Sequence, residues 1–214
     1  MRRVKALIFD LGGVVVKWSN TLTYRYIEDN YGIPADDFKK EAEKGMPSVQ
    51  TGEQSEESWM IKTFGLFGDP PEGAEEAWGK TFEAALYNDE VLALIEGLKR
   101  ARYRVAALSN LEPSRARWLK RHDIDALFDV VVFSCEVGMR KPDLSPGRQE
   151  DLGIYRLTLH RLGLTAEDCI FIDDNRNCVA AAESIGLESI LLKDVTQLKT
   201  ELLRRGVEVD DRPS

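Results

Sequence analysis

The sequence predicts an α/β fold, an open parallel sheet of five strands carrying a helical insert after its first strand. Three observations support this. Five short apolar runs read as buried strands, helical stretches separate the last four, and a long strand-poor segment divides the first from the second.

The runs are "VKALIFD" (4–10), "RVAALSN" (104–110), "DVVVFS" (129–134), "DCIFID" (168–173) and "ESILLK" (188–193). None alternates cleanly between apolar and polar, which suits strands covered on both faces. Between them, "PSRARWLKRH" (113–122) opens on a proline, as a first helical turn can. "IYRLTLHRLG" (154–163) and the alanine-rich "NRNCVAAAESIG" (175–186) each stop at a glycine. Residues 17–88 show no convincing strand. They read as the helices "NTLTYRYIEDNYG", "PADDFKKEAEKG", "SEESWMIKTFGLFG" and "EGAEEAWGKTFEAALY", an insert with its own small core. Trp59, Trp78, Phe64, Phe67 and Phe82 are assigned to that core rather than to a stacking platform for a ligand. "DEVLALIEGLKRA" (89–101) returns the chain to the sheet. The expected units are therefore 1–16 with 89–214, and 17–88. The tail "VEVDDRPS" is expected to fray.

Composition narrows the function. The 214-residue chain is 43% hydrophobic, enough for a real core, and its net charge is −8. That charge argues against nucleic acid and anionic membranes, which require a basic face. Cys135, Cys169 and Cys178 match no metal spacing, and His122 and His160 are isolated, so a reduced, cytoplasmic protein without structural zinc is expected. The start "MRRVKALIFDLGGVVV" mimics a secretory leader, but Asp10 interrupts the apolar run and no small-residue cleavage site follows.

In open parallel sheets, ligands bind beyond the carboxyl ends of the strands. Here those ends carry Asp10, Ser109-Asn110 and Asp173-Asp174, with Lys141 in "EVGMRKPD" just after the third strand. Three carboxylates on one rim repel one another. A hard divalent cation such as Mg²⁺ relieves that repulsion, and the hydroxyl and ammonium can hold phosphate oxygens. Singly, each residue has a plainer reading. Asp173, Asp174 or Asn175 could cap the next helix, Ser109-Asn110 could be a turn, and Lys141 could be a solvated loop charge. Asp10 is harder to dismiss, because an unpaired acid is costly to bury. The cysteines read as apolar filler and His160 as packed or solvated.

"IFDLGGVVV", "LSN", "GMRKPD" and "FIDDN", in that order, resemble the four motifs of the haloacid dehalogenase superfamily of phosphohydrolases. The likeness covers nearly the whole chain. The insert resembles the helical cap of one large branch, and "TGEQSEESW" a cap-helix signature within it. Within the superfamily the chain resembles sugar-phosphate phosphatases of the α-glucose-1-phosphate type and the phosphatase-like domain of epoxide hydrolase. The resemblance implies a three-layer, Rossmann-like core with strand order 3-2-1-4-5, and Mg²⁺-dependent hydrolysis of a small phosphorylated metabolite. By position it implies that Asp10 is the nucleophile, forming an aspartyl-phosphate. Ser109 and Asn110 bind the phosphoryl group. Lys141 neutralises nucleophile and phosphate. Asp10, the carbonyl of Gly12, Asp173 and Asp174 hold the metal.

Gly12 departs from the family pattern. Most such phosphatases place a second aspartate there, which protonates the leaving group and then activates water; such help is worth ~10²–10⁴ in rate. Three explanations stand open. Turnover is slow, or confined to esters whose leaving group needs little protonation. Alternatively another group substitutes, with Glu28, Asp29 and Glu150 near in sequence, or an ordered water. Or the protein binds phosphate, or a partner, without useful turnover. Dehalogenation is a further outcome, disfavoured by the acidic pair and Lys141. Two smaller departures are an excess of about eight residues at Leu144–Gly153, read as a surface loop, and Cys178 where relatives often have asparagine. Substrate identity and oligomeric state have no motif.

Overall fold

The computed structural model describes residues 4–142 and 152–209. Along the chain, β1 (Ala6–Phe9) and β2 (Val16–Lys17) lead into α1 (Asn20–Tyr31), α2 (Ala35–Gln50), α3 (Glu56–Phe64), a 3-10 turn (Ala74–Glu76) and α4 (Ala77–Phe82). Then follow β3 (Leu86–Tyr87), α5 (Asp89–Arg100), β4 (Arg104–Ser109), α6 (Pro113–Arg121), α7 (Ile124–Leu127), β5 (Val130–Phe133) and α8 (Ser134–Val137). After the undescribed residues come α9 (Gly153–Leu162), a second 3-10 turn (Ala166–Asp168), β6 (Cys169–Asp173), α10 (Arg176–Ser184), β7 (Glu188–Leu191) and α11 (Val195–Arg204).

The main sheet has the order β5-β4-β1-β6-β7 and is parallel throughout. This is the expected α/β fold and the expected strand order. Side chains of a strand alternate between faces, and both faces are apolar here. Leu7, Phe9, Val105, Ala107, Ile170 and Ile172 pack against α5, α6 and α11. Ala6, Ile8, Ala106, Leu108, Cys169 and Phe171 pack against α9 and α10. Two-sided burial explains why the strands read as continuous apolar runs. It also makes three layers, and the parallel pairing puts every strand's carboxyl end on one rim.

The insert builds a second cluster from Tyr24, Ile27, Phe38, Ala42, Met46, Val49, Trp59, Met60, Phe64 and Trp78. Local signals set its helices. Ser19 caps α1 by accepting from Thr21 N, and Gly32, at φ 68°, ends it. Ser55 caps α3 through Ser58 N. The β2–β3 antiparallel pair, Val16 opposite Tyr87 and Lys17 opposite Leu86, closes the insert at its base.

Several expectations fail here for identifiable reasons. A strand pair does occur at the edges of the insert, too short to give a period. α2 does not stop at Gly45 but runs through it and Pro47 to Gln50. Trp59 lies against Gly45 so closely that an added Cβ would sit 2.5 Å from its Cδ1, and the indole Nε1 donates to Ala42 O at 3.1 Å. That glycine is therefore a packing site rather than a stop. "EGAEEAWGKTFEAALY" divides into the 3-10 turn, α4 and β3. Phe82 belongs to the main core, and Phe67 is exposed. Of the cysteines read as apolar filler, Cys135 is only half-buried, on α8, whereas Cys169 and Cys178 are buried. Val207 is fully buried and Val209 packs beside it, so the tail is docked as far as residue 209. The Leu144–Gly153 segment lies outside the described residues except at its last two positions, where Gly153 begins α9. Among the described residues no helix is long and apolar enough to cross a membrane.

Trp78 is fully buried, with ring centroids 4.8 Å from Trp59 and 5.8 Å from Tyr24. Trp78→Ala is predicted to cost about 3–5 kcal/mol in denaturant unfolding. A loss under about 1 kcal/mol would show that the insert's core does not depend on it.

Candidate active site

Asp10 follows β1 directly. Its backbone N–H donates to Ile172 O at 2.8 Å, continuing the sheet by one residue beyond the strand. This fixes the carboxylate beside the ends of β4 and β6. Ser109, the last residue of β4, donates from Oγ to Asp10 Oδ1 at 2.9 Å. Lys141 Nζ donates to Asp10 Oδ1 and to Asp173 Oδ2, both at 2.6 Å. Asp173 Oδ1 accepts from Asn175 N at 2.7 Å, and Asn175 Oδ1 caps α10 by accepting from Asn177 N. Asp10, Ser109, Lys141 and Asp173 expose only 6%, 3%, 3% and 0% of their surface.

The burial is electrically demanding. Desolvation raises the Asp10 carboxyl to about 6; Asp173 adds to the rise and Lys141 opposes it. Burial alone would lower the Lys141 ammonium, but Asp10 and Asp173 outweigh that and raise it. Burial, then Asp10, raises Asp174 as well. One ammonium cannot balance three carboxylates. An oxygen from each of Asp10, Asp173 and Asp174 lies within 4.8 Å of the others. Three hard anionic oxygens gathered so closely fit Mg²⁺.

The structure thus gathers Asp10, Ser109, Lys141, Asp173 and Asp174. Asn110 lines the same cavity and also grips Lys141. Its Nδ2 donates to Lys141 O at 2.9 Å and its Oδ1 accepts from Lys141 N at 2.7 Å, so its amide is engaged in clamping the lysine's backbone. Gly12 lines the cavity, and a Cβ there would meet nothing within 4 Å. Sterics therefore do not demand a glycine at that position. Gly13 is the constrained one: its φ is 76°, and a Cβ would fall 2.2 Å from Asp174 Oδ2. Glu28 and Asp29 are exposed on α1 and do not line the cavity, so neither stands in for an acid at position 12. Glu150 lies outside the described residues. His160 is exposed, and the His122 ring stacks on Trp118 with centroids 3.8 Å apart.

A cavity of about 430 Å³ opens over these groups, between core and insert. Its other wall holds residues the sequence reading did not single out: Trp18, Asn20, Gln50, Glu112 and Arg115. The first turn of α6 ties down the insert. Gln50 Nε2 donates to Glu112 Oε1 at 2.8 Å. Ser114 donates from N and Oγ to Glu56 at 2.8 and 2.5 Å. Arg115 donates to Asn20 Oδ1 at 2.7 Å and Thr23 Oγ1 at 3.2 Å, with its guanidinium 4.7 Å from the Trp78 ring. A charged pair inside "NLEPSR" offered a faint signal, but acids and bases near a helix start are ordinarily solvated. Gln50 offered none.

The profile of the haloacid dehalogenase-like hydrolases matches residues 4–186. A "phosphorylated carbohydrates phosphatase" of Thermotoga maritima is 29% identical over 190 residues, covering 87% of this chain and 84% of that protein. Bifunctional epoxide hydrolase 2 of Sus scrofa is 25% identical over 232 residues, covering 99% of this chain and 40% of that protein. A HAD family enzyme of Bacteroides thetaiotaomicron, solved with magnesium and inorganic phosphate, superposes with a TM-score of 0.70 at 19% identity, covering 91% and 98% of the two chains. With its motifs gathered on the rim of a matching fold, the chain belongs to the haloacid dehalogenase-like hydrolase family.

Proposed function

We propose that the protein is a Mg²⁺-dependent phosphatase of a small phosphorylated metabolite, with Asp10 as nucleophile. The observation that carries this reading is the buried Lys141 ammonium shared at 2.6 Å between Asp10 and Asp173, under a cavity open to a ligand. The phosphatase relative and the magnesium–phosphate complex support it.

Asp10, Asp173, Asp174 and the Gly12 carbonyl would hold the metal, which when bound offsets negative charge on the carboxylates and the phosphoryl oxygens. Ser109 and Lys141 fix the rotation of the Asp10 carboxylate through Oδ1, so that it meets phosphorus in line. The phosphorus–oxygen bond to the leaving group breaks as the bond to Asp10 forms. Water then cleaves the aspartyl-phosphate and restores Asp10. Lys141 stabilises the charge on the equatorial oxygens in both steps. Asn110 positions Lys141 and keeps a second Nδ2 hydrogen for a phosphoryl oxygen. The insert acts as a cap over the site and excludes bulk water while the acyl phosphate exists. With glycine at 12 and neither Glu28 nor Asp29 lining the cavity, none of these three positions puts a carboxylate beside the leaving oxygen. Slow turnover, or a leaving group needing little protonation, follows.

A phosphate-release screen over sugar phosphates, nucleotides and acyl phosphates is expected to show activity with Mg²⁺ and none after chelation. Asp10→Asn should abolish both hydrolysis and phosphoenzyme while the chain stays folded by circular dichroism; retained turnover would remove Asp10 from the nucleophile's role. Gly12→Asp should raise kcat on alkyl phosphates by about 10–100-fold, since space is open there. An unchanged kcat would mean that the missing acid does not limit the rate. Asn110→Ala releases the Lys141 backbone from two hydrogen bonds and is predicted to lower kcat/KM about tenfold. An unaltered value would show that Lys141 is placed by other contacts.

A further inference from the structure

The helix that starts beside the nucleophile is capped from the insert. α6 begins shortly after Ser109 and Asn110, and its own N-cap residue, Glu112, makes no side-chain cap hydrogen bond. Glu56, the first residue of α3, takes that role across the boundary. Its Oε2 accepts from Ser114 N at 2.8 Å and its Oε1 from Ser114 Oγ at 2.5 Å. The Glu56 residue is buried. It stands in the first turn of α3 and bonds the first turn of α6, and the positive ends of both helices favour its charge. A second helix of the insert presses on the same serine. A Cβ at Gly79 of α4 would fall 2.8 Å from Ser114 Cβ, so α4 and α6 meet there with no room for a side chain. Two insert helices therefore fix where α6 begins.

We infer that Glu56 is a positioning residue: by capping α6 from the insert, it makes the placement of Lys141 and Asp10 depend on a seated insert. One short segment, Ser109–Arg115, carries the link. At its start Ser109 donates to Asp10 Oδ1, and Asn110 bonds both the N–H and the carbonyl of Lys141. In its middle Leu111 N donates to Ser134 Oγ at 3.0 Å. At its end Glu112, Ser114 and Arg115 bond Gln50, Glu56 and Asn20 of the insert. A first helical turn is costly to hold when its N–H groups lack acceptors. An insert that lifts takes the Ser114 acceptor with it. The start of α6 then loosens, and with it the grip of Asn110 on Lys141. Chemistry is thereby restricted to the closed state. That last step rests on the phosphatase reading, whereas the link from Glu56 to Lys141 does not.

Amide hydrogen exchange of the full chain, read residue by residue by NMR with Mg²⁺ present, tests the link in three variants. Glu56→Ala should speed exchange at Ser114 and also at Lys141, each by about fivefold. Glu56→Gln can still accept from Ser114 N and can donate to Ser114 Oγ, so both amides should stay within about twofold of the unaltered protein. Gly79→Ala favours the helix it sits in, yet by displacing Ser114 it should speed Lys141 exchange by about fivefold. In both Glu56→Ala and Gly79→Ala, kcat for p-nitrophenyl phosphate should fall about fivefold with KM changed less than about twofold. A Lys141 amide that keeps its rate in folded Glu56→Ala overturns the inference, because a purely local cap would move Ser114 alone. An unmoved Lys141 rate in Gly79→Ala overturns it too, and decides the matter where Glu56→Ala does not fold. An unaltered protein that releases no phosphate refutes the phosphatase reading instead, and the exchange rates then decide the link by themselves.

Discussion

A buried ammonium held between two carboxylates governs the architecture of the site. Lys141 is reached through a loop after α8, Asp10 follows one strand directly and Asp173 ends its neighbour. Nothing joins these three segments in sequence. The parallel order β5-β4-β1-β6-β7 puts the ends of β4, β1 and β6 side by side, and the lysine closes the group from outside the sheet. Burial makes each charge costly alone and strengthens the attraction between unlike charges. Removing one partner would strand the others, so the cluster acts as a unit. Asp174 adds a third acid, and the resulting excess of negative charge suits a divalent cation.

The second constraint lies in the first turn of α6. Glu112, Ser114 and Arg115 each engage a different helix of the insert, reaching α2, α3 and α1 respectively. Arg115 also lies over the rings of Trp18, Trp78 and Phe82, so core, junction and insert share one cation. These contacts bound the cavity and set its chemistry. The carboxylate end is determined by strand termini, and the other end by which side chains α6 meets on the insert.

Much of this was legible in the sequence, for physical reasons. Strands buried on both faces, such as Ala6–Phe9 and Cys169–Asp173, leave unbroken apolar runs. Polar residues at the ends of such runs stand out, which is how Asp10, Ser109 and Asp173 were found. Lys141 was visible only through its motif. Asn110 was placed correctly on the chain, but its engagement with the Lys141 backbone depends on a contact 31 residues away. Gln50, Glu112 and Arg115 meet across the boundary between insert and core, and no local pattern records such a meeting. Gly45 misled for a related reason. Local propensity argues for a helix end there, and the packing of Trp59 overrides it.

The central claim is electrostatic: Asp10, Asp173 and Asp174 together make one divalent-cation site. Calorimetric titration of the protein with Mg²⁺, set beside the same titration of Asp173→Asn, tests it most directly. The account predicts a single Mg²⁺ per chain in the unaltered protein and at least tenfold weaker binding in the variant. Absence of binding in the unaltered protein, or equal affinity in both, would contradict it.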